Sequence, residues 1–416
     1  MNKNINILGI KVSTEPKEEI LQKISNFLNT AQKHYIVTPN PEFLLLAAKD
    51  EEFFYILNQA ELAIPDGIGL SWAGFFSGHW FKRISGIDLM QNVCQIAMQK
   101  NKSIFLLGGS KGVAKEAKLR LQKKYPGLSI VGAESGLENN QWEIKDGLWI
   151  AGQKLNKQLV ERINQVRPDI IFVAFGHVKQ EKWIYHNLPD LINVKMAMGV
   201  GGSFDFISER IKRAPLFFRN LGLEWLWRLI QEPQKRLPRI FNAVVKFPLA
   251  FCHWRFIQPC FYRKNVACLL YKKEDGKIYV LLAERRSEAN HWQLPQGGTD
   301  GQNLITAGTR ELREEIGTDK FRPKAALKNL YAYSFTEEMS ASSLFTRKNG
   351  GYKGQKQGLF IAEFIGSDND IIINYWDHRD WRWVELDNVV NSVHKIRQKA
   401  TIIFINKFKK LIKEDL

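Results

Sequence analysis

The sequence predicts an α/β chain in parts: an N-terminal, mainly parallel α/β sheet domain with a basic helical appendage, followed by a smaller α+β domain. Three observations carry this reading. Residues 1–200 alternate short apolar runs with amphipathic stretches, the pattern of a parallel sheet covered on both faces. Residues 213–257 mix Trp, Phe and Leu with Arg and Lys at helical spacing. Beyond Pro259 the chain turns strand-rich around one glutamate-rich helix. A length of 416 residues suits two or three domains. The expected divisions are 1–212, 213–257 and 258–416.

In the first part, the buried runs are HYIVTPN (34–40), AELAIPDG (60–67), SIFLLGG (103–109), LSIVGA (128–133), DIIFVAFG (169–176) and KMAMGVGG (195–202). Runs of four to seven apolar residues between helices such as 112–125 and 156–167 read as central strands. Ligands of open parallel sheets gather at the carboxyl ends of the strands. Thr38, Asn40, Asp66, Gly108, Gly109 and Gly176 all fall at such ends. In the second part, NVACLLYKK, KIYVLLAERR, GLFIAEFIG and DWRWVEL read as strands, with a closing helix at about 394–413.

The chain carries 60 Lys and Arg against 43 Asp and Glu, a net charge of +17. Twelve of the basic and four of the acidic residues lie in 201–265. A basic excess suits nucleic acid, anionic lipid or phosphorylated substrates. Its concentration beside exposed-type aromatics favours lipid headgroups and diphosphates here. The four cysteines show no CxxC pairing, which speaks against a zinc ribbon or a disulfide scaffold. No window holds 18 uncharged apolar residues, and the N-terminus lacks the features of a signal peptide. The expected setting is therefore cytoplasmic, peripheral on the inner face of the membrane.

The most specific local motif is PQGGTDGQNLITAGTRELREEIG, residues 295–317. Glu311, Glu314 and Glu315 are spaced i, i+3, i+4, which puts three carboxylates on one helix face. Like charges so placed repel unless neutralised, and hard divalent cations take oxygen ligands of this kind. A solvated acidic face is the alternative, but the preceding Gly297-Gly298, together with Arg310 and Gly317, points to a ligand loop. The segment resembles the Nudix box. RELREEIG matches its second half, while one residue is missing after Gly297 and Gln302 stands where the family has its first Glu. Over about 261–415 the chain looks like the RNA pyrophosphohydrolase and diadenosine polyphosphate hydrolase branch, through YRKNV, HWQLPQGG, GQKQ and WRWVEL. That resemblance implies a Nudix fold and Mg²⁺ (or Mn²⁺) held by Glu311, Glu314, Glu315 and Asp377. It also implies phosphate or base contacts from Arg263, Gln296 and Gln357, with an RNA 5′ end or a dinucleoside polyphosphate as substrate. A non-catalytic nucleotide- or RNA-binding regulatory module is the alternative for this half, motivated by the altered loop. Trp292 reads as a core residue rather than a stacking platform.

In the N-terminal half there is no P-loop. Asp66 follows the apolar run ELAI and Pro65, so its carboxylate is expected at a strand end in a crevice. Partial desolvation there suits a base, although a plain Asp-Gly turn is the simpler reading. The strings TPN (38–40), PDGIG (65–69), RISGIDL (83–89), LLGGSKG (106–112), FGHVKQE (175–181), GVGGSFDF (199–206), KRAP (212–215) and GLEWLWRLIQEP (222–233) resemble, in order and separation, the WecG/TagA/CpsF glycosyltransferases over about 1–245. The resemblance implies inverting transfer of N-acetylmannosamine, its uronic acid or a related sugar from a UDP donor. The acceptor would be an undecaprenyl-diphosphate-linked N-acetylglucosamine at the membrane surface, and no cofactor is implied. It further implies Asp66 as general base, Arg83 offsetting diphosphate charge, and Thr38 and Asn40 lining the pocket. Gly108, Gly109, Gln180 and Glu181 would frame the nucleotide, and Arg213 and Arg228 would meet phosphate. His177 reads as a surface loop residue. A homo-oligomer is kept open as a further partner. Together the two halves read as a bifunctional enzyme.

Overall fold

The computed structural model describes residues 3–135, 142–145, 148–151, 153–335 and 351–414. It forms two compact units, Met1–Phe251 and Cys252–Leu416.

The first unit opens with an antiparallel hairpin, β1 (Asn4–Ile7) and β2 (Ile10–Ser13), which the apolar runs of the sequence do not announce. Its centre is a six-stranded sheet built from β3 (His34–Val37), β4 (Leu62–Ala63), β5 (Ile104–Gly108), β6 (Ile130–Glu134), β9 (Ile170–Ala174) and β10 (Met196–Gly199). A second hairpin, β7 (Trp142–Lys145) with β8 (Leu148–Ala151), is inserted between β6 and β9. The sheet order is β4-β3-β10-β9-β5-β6, and every neighbouring pair is parallel. The reason is visible in composition: β3, β5, β9 and β10 are buried along their whole length, so both faces must be covered by helices. Ile36, Leu106, Phe172 and Met198 join one core with residues of the Gly86–Gln99 and Val113–Lys124 helices.

After the sheet come short helices Leu216–Asn220, Glu224–Gln231 and Pro233–Phe241, followed by a π-helical turn at Asn242–Lys246. Leu216, Phe217, Leu221, Ile230, Leu237 and Phe241 are exposed on this segment. Among the described residues, no helix is long and apolar enough to cross a membrane.

The second unit is a mixed seven-stranded sheet of β11 (Tyr262–Glu274), β12 (Lys277–Arg285), β13 (Trp292–Gln293), β14 (Gln296–Gly298), β15 (Phe321–Ser334), β16 (Gly354–Phe364) and β17 (His378–Glu385). Only β11 and β16 run parallel. One core, with Val266, Cys268, Leu270 and Phe360, lies under the Leu304–Ile316 helix. The other, with Leu269, Leu282 and Phe404, lies under the C-terminal helix Lys395–Glu414. Asn303 caps the Leu304–Ile316 helix by accepting from the Thr306 N–H at 3.0 Å, and Gly317 ends it at a φ of 67°. Trp292 packs partly buried against the second core, with the Arg382 guanidinium 4.0 Å from its ring centre.

Candidate active sites

In the first unit, β3 and β4 deliver Thr38, Asn40 and Asp66 to one place. The Asp66 N–H donates to the Pro39 carbonyl at 2.8 Å, which ties the two strand ends together. The Gly86 N–H, in the first turn of its helix, donates to Asp66 Oδ2 at 3.2 Å. A side chain at Gly86 would lie 3.6 Å from the Thr38 hydroxyl and 3.7 Å from Asp66 Oδ2, so both groups face the start of that helix. Asn40 sits alongside, but its side-chain oxygen is spent capping the Pro41–Ala47 helix, accepting from Phe43 at 3.0 Å. Burial raises the Asp66 carboxyl above its ordinary range; the Gly86 N–H and the Arg83 charge oppose that rise.

Arg83 and Arg228 act on the Asp66 carboxylate, and the arginines of this region differ in freedom. Arg83 donates to the Arg219 carbonyl at 2.8 Å and to Glu224 at 3.3 Å. Arg213 makes two 2.7 Å bonds to Asp88, with Ser85 at 3.2 Å and Glu224 at 3.4 Å, so its fork is filled by the protein itself. Arg228 differs. It lies 4.7 Å over the Phe206 ring, its Nε is buried without a hydrogen-bond partner, and burial pulls its pKa down to about 10. A half-buried guanidinium whose Nε has no partner is a ready anion ligand.

At the end of β5, Gly108 and Gly109 have φ of 108° and 78°. A side chain at Gly108 would stand 2.6 Å from the Ala174 carbonyl oxygen, so only glycine lets β5 and β9 close up here. Gln180 and Glu181 lie in the first turn of the Lys179–Asn187 helix. Both are buried; Gln180 accepts from the Gly201 N–H at 3.0 Å and donates to Glu181 at 2.6 Å, so the pair is tied to the glycine loop after β10. Desolvation lifts the Glu181 carboxyl to about 7. His177 is half-buried, with Nδ1 3.2 Å from Glu42 and its ring edge on Phe43.

In the second unit, the Leu304–Ile316 helix presents its glutamates unequally. Glu311 and Glu315 are buried, whereas Glu314 turns outward to Arg310 at 2.7 Å. A side chain at Gly297 would collide with the Glu311 carboxylate, so that glycine opens the space the carboxylate occupies. Glu315 accepts from the Gln296 N–H at 3.1 Å, and His378 Nε2 lies 3.2 Å from it. Asp377, immediately before β17, is held by its N–H to the Asn374 side chain at 3.0 Å. Burial first, then the neighbouring carboxylates, raise Glu311 to about 8 and Glu315 well above its usual range; burial also raises Asp377. An all-oxygen set whose members hold protons against one another fits a hard divalent cation, which would displace those protons.

The loop brace is intact. Arg310 donates to Gln302 at 3.2 Å, to the Gly298 carbonyl at 2.6 Å and to Asp300 at 3.1 Å, besides an ion pair to Glu311 at 2.8 Å. Gln357 donates to Gln296 at 2.8 Å and to Asn265 at 3.0 Å, joining two of the expected contacts. Arg263 sits against Gly298, where an added side chain would meet its guanidinium. Three further residues escaped the sequence reading. Arg397 bonds the Tyr333 hydroxyl at 2.9 Å and lies 3.0 Å from the Gln296 amide. Arg285, its pKa lowered by burial and by Arg397, feels Asp377 and Glu315. His378 is 2% exposed, and burial lowers it to about 4. Only the His that directly follows Asp377 gave a local hint; the arginines come from β12 and the C-terminal helix.

Residues 5–260 match the model of the glycosyl transferase WecG/TagA/CpsF family, and residues 261–403 match the NUDIX domain. An N-acetylglucosaminyldiphosphoundecaprenol N-acetyl-beta-D-mannosaminyltransferase of Bacillus subtilis (strain 168) is 34% identical over 219 residues, covering 50% of this chain and 79% of that protein. A protein of the same name from Staphylococcus aureus (strain MRSA252) is 31% identical over 243 residues, covering 57% and 87%. A C. elegans Ap4A hydrolase binary complex aligns with a TM-score of 0.28 at 20% identity, over 36% of this chain and 98% of its own. Through a family model that spans more than half of its length, the chain belongs to the glycosyl transferase WecG/TagA/CpsF family, and it carries a NUDIX domain on its C-terminal side.

Proposed function

We propose that the chain is bifunctional. Residues 1–212 with the appendage 213–257 transfer N-acetylmannosamine, or its uronic acid or a related sugar, from a UDP donor to a lipid-linked N-acetylglucosamine. Residues 258–416 hydrolyse a phosphoanhydride in a 5′-triphosphate RNA or a dinucleoside polyphosphate. The names of the Bacillus and Staphylococcus relatives support the first acceptor and sugar.

The observation that carries the transferase reading is Asp66. Its half-buried carboxylate is oriented by the Gly86 N–H beside the Thr38 hydroxyl, with the Arg83 and Arg228 charges acting on it. A carboxylate raised by burial takes a proton from an acceptor hydroxyl more readily than one in water. Arg228, with its unpartnered Nε, and Arg83 offset charge that develops on the leaving diphosphate. Gly108 and Gly109 let the nucleotide approach the backbone. The exposed apolar side chains of 216–241, with Arg219 and Arg239, favour a peripheral seat on the inner face of the membrane.

In the hydrolase half, Glu311, Glu314, Glu315 and Asp377 would hold Mg²⁺ or Mn²⁺, which supplies Lewis acidity toward the phosphoanhydride. Arg263, Arg397 and the Gln296–Gln357 pair grip the polyphosphate and base. Arg310 keeps the loop 297–302 in shape through Gln302 and Asp300, which favours a working site over a purely regulatory module.

The test uses the full chain. Asp66→Asn is expected to abolish sugar transfer and leave hydrolysis unchanged, and Glu314→Gln with Glu315→Gln to do the reverse. Loss of both activities in either variant sinks the two-site reading. Absence of hydrolysis across a panel of triphosphorylated RNA and dinucleoside polyphosphates with Mg²⁺ sinks the hydrolase half alone.

A further inference from the structure

We propose that Glu288, His291 and His394 form a second metal site in the NUDIX unit, for a borderline transition-metal ion such as Zn²⁺. None of these residues belongs to the carboxylate set above. Glu288 and His291 lie in the connection between β12 and β13, and His394 immediately precedes the C-terminal helix. Among the described residues, this is the His/Cys/Asp/Glu trio whose ligand atoms all lie within 4.8 Å of one another.

His291 Nδ1 stands 2.7 Å from Glu288 Oε2, and His394 Nε2 stands 3.8 Å from Glu288 Oε1. The two imidazoles stack at 4.1 Å with 13° between their planes. Zinc–nitrogen and zinc–oxygen distances of about 2.0–2.2 Å put two ligand atoms on one ion roughly 3.5 Å apart in a tetrahedron. Closing the set requires the stacked rings to swing apart about χ2 until both lone pairs meet one ion, with His394 drawn toward Glu288.

Ligation through His291 Nδ1 and His394 Nε2 would leave each ring's other nitrogen as an N–H, and those two atoms are buried with no hydrogen-bond partner. The exposed Glu288 side chain gives an ion access from solvent and leaves room for water to complete its shell. Two nitrogens and one carboxylate suit Zn²⁺, Co²⁺ or Ni²⁺, whereas Mg²⁺ prefers an all-oxygen shell.

The site has a structural consequence. The His394 N–H already donates to the Trp292 carbonyl at 2.9 Å, and the Arg397 N–H donates to the His394 carbonyl at 2.8 Å. An ion here would clip the segment before β13 to the start of the helix that carries Arg397, whose guanidinium reaches Gln296 and Tyr333. Occupancy would thus stiffen the groups lining the neighbouring hydrolytic site.

The experiment titrates chelator-stripped full chain with Co²⁺ and Zn²⁺ under saturating Mg²⁺, in a Cys252→Ser, Cys260→Ser background that removes the exposed thiols. The expected result is one equivalent bound, with cobalt d–d bands and no thiolate charge transfer. Glu288→Gln and His394→Ala are each expected to weaken binding at least tenfold, while Glu311→Gln leaves it unchanged. Because Glu288 is exposed, its variant decides the matter even if His394→Ala fails to fold. Equal cobalt binding in Glu288→Gln, or none above the Mg²⁺ background, overturns the proposal.

Discussion

The Arg310 guanidinium donates to the Gln302 side-chain oxygen at 3.2 Å, across the loop that separates β14 from the glutamate helix. This neutral amide stands where the Nudix pattern has a carboxylate, yet the bond is made, and Asp300 adds the missing negative charge at 3.1 Å. The brace therefore depends on the arginine more than on any one acceptor. Arg310→Ala is expected to cut hydrolytic kcat by tenfold or more, since charge-assisted bonds contribute about 1.5–3 kcal/mol each. Gln302→Glu should change it by less than about 1 kcal/mol, the usual worth of an exposed ion pair. Steady-state kinetics of both variants check the contrast.

Arg213 and Arg228 should separate stability from binding. Arg213 is saturated by Asp88, Ser85 and Glu224, so Arg213→Ala is expected to lower the melting temperature of the transferase unit. Arg228 keeps an unpartnered Nε, so Arg228→Ala is expected to raise the KM for the nucleotide sugar about tenfold or more. Melting curves and donor KM measured on both proteins test the split; reversed effects contradict the assignment.

Gly108 is held at a φ of 108°, with the Ala174 carbonyl 2.6 Å from where a side chain would begin. Gly108→Ala is expected to cost about 1–3 kcal/mol in backbone strain alone, with the β5–β9 clash added. Hydrogen exchange of the β5 and β9 amides would reveal it. Gly78→Ala also sits at positive φ but meets nothing within 4 Å, so it should cost only the strain.

Glu181 makes stability depend on pH. Its folded pKa of about 7 lies above the ordinary 4.5, so the folded state holds a proton that the unfolded state has released. Unfolding free energy therefore falls as pH rises between those values, and the contribution is gone above about 7. The swing is up to about 3 kcal/mol, at 1.36 kcal/mol per unit. Glu181→Gln keeps an acceptor for Gln180 and should flatten the profile, read from exchange of the β10 amides between pH 4.5 and 8. An unchanged slope contradicts the buried neutral carboxyl.

Much of the fold was legible because it is local. The apolar runs that became β3, β5, β9 and β10 are buried end to end, and a strand buried on both faces announces itself by composition. The helix 304–316 was equally plain, with Asn303 before it, Gly317 after it and glutamates at i, i+3, i+4. The β1–β2 hairpin was not, because its strands, NINI and IKVS, interleave polar residues with apolar ones and form no continuous apolar run. Nor does spacing reveal that Glu314 pairs outward with Arg310 while Glu311 and Glu315 are buried. One helix face has a rim and a centre, and only the elements packed against it decide which residue falls where.

By itself, then, the sequence determined the two-part α/β plan, the glutamate motif and the strand-end position of Asp66, all encoded within windows of a few residues. Tertiary structure alone decided that Arg228 keeps an unpartnered Nε and that Gln180 meets the Gly201 N–H of the loop after β10. It also decided that Arg397 meets Gln296 and that His394 meets Glu288. Each of these depends on chain segments far apart in sequence and brought together by sheet pairing and core burial. A side chain's hydrogen-bond partners are fixed only once those long-range contacts have formed.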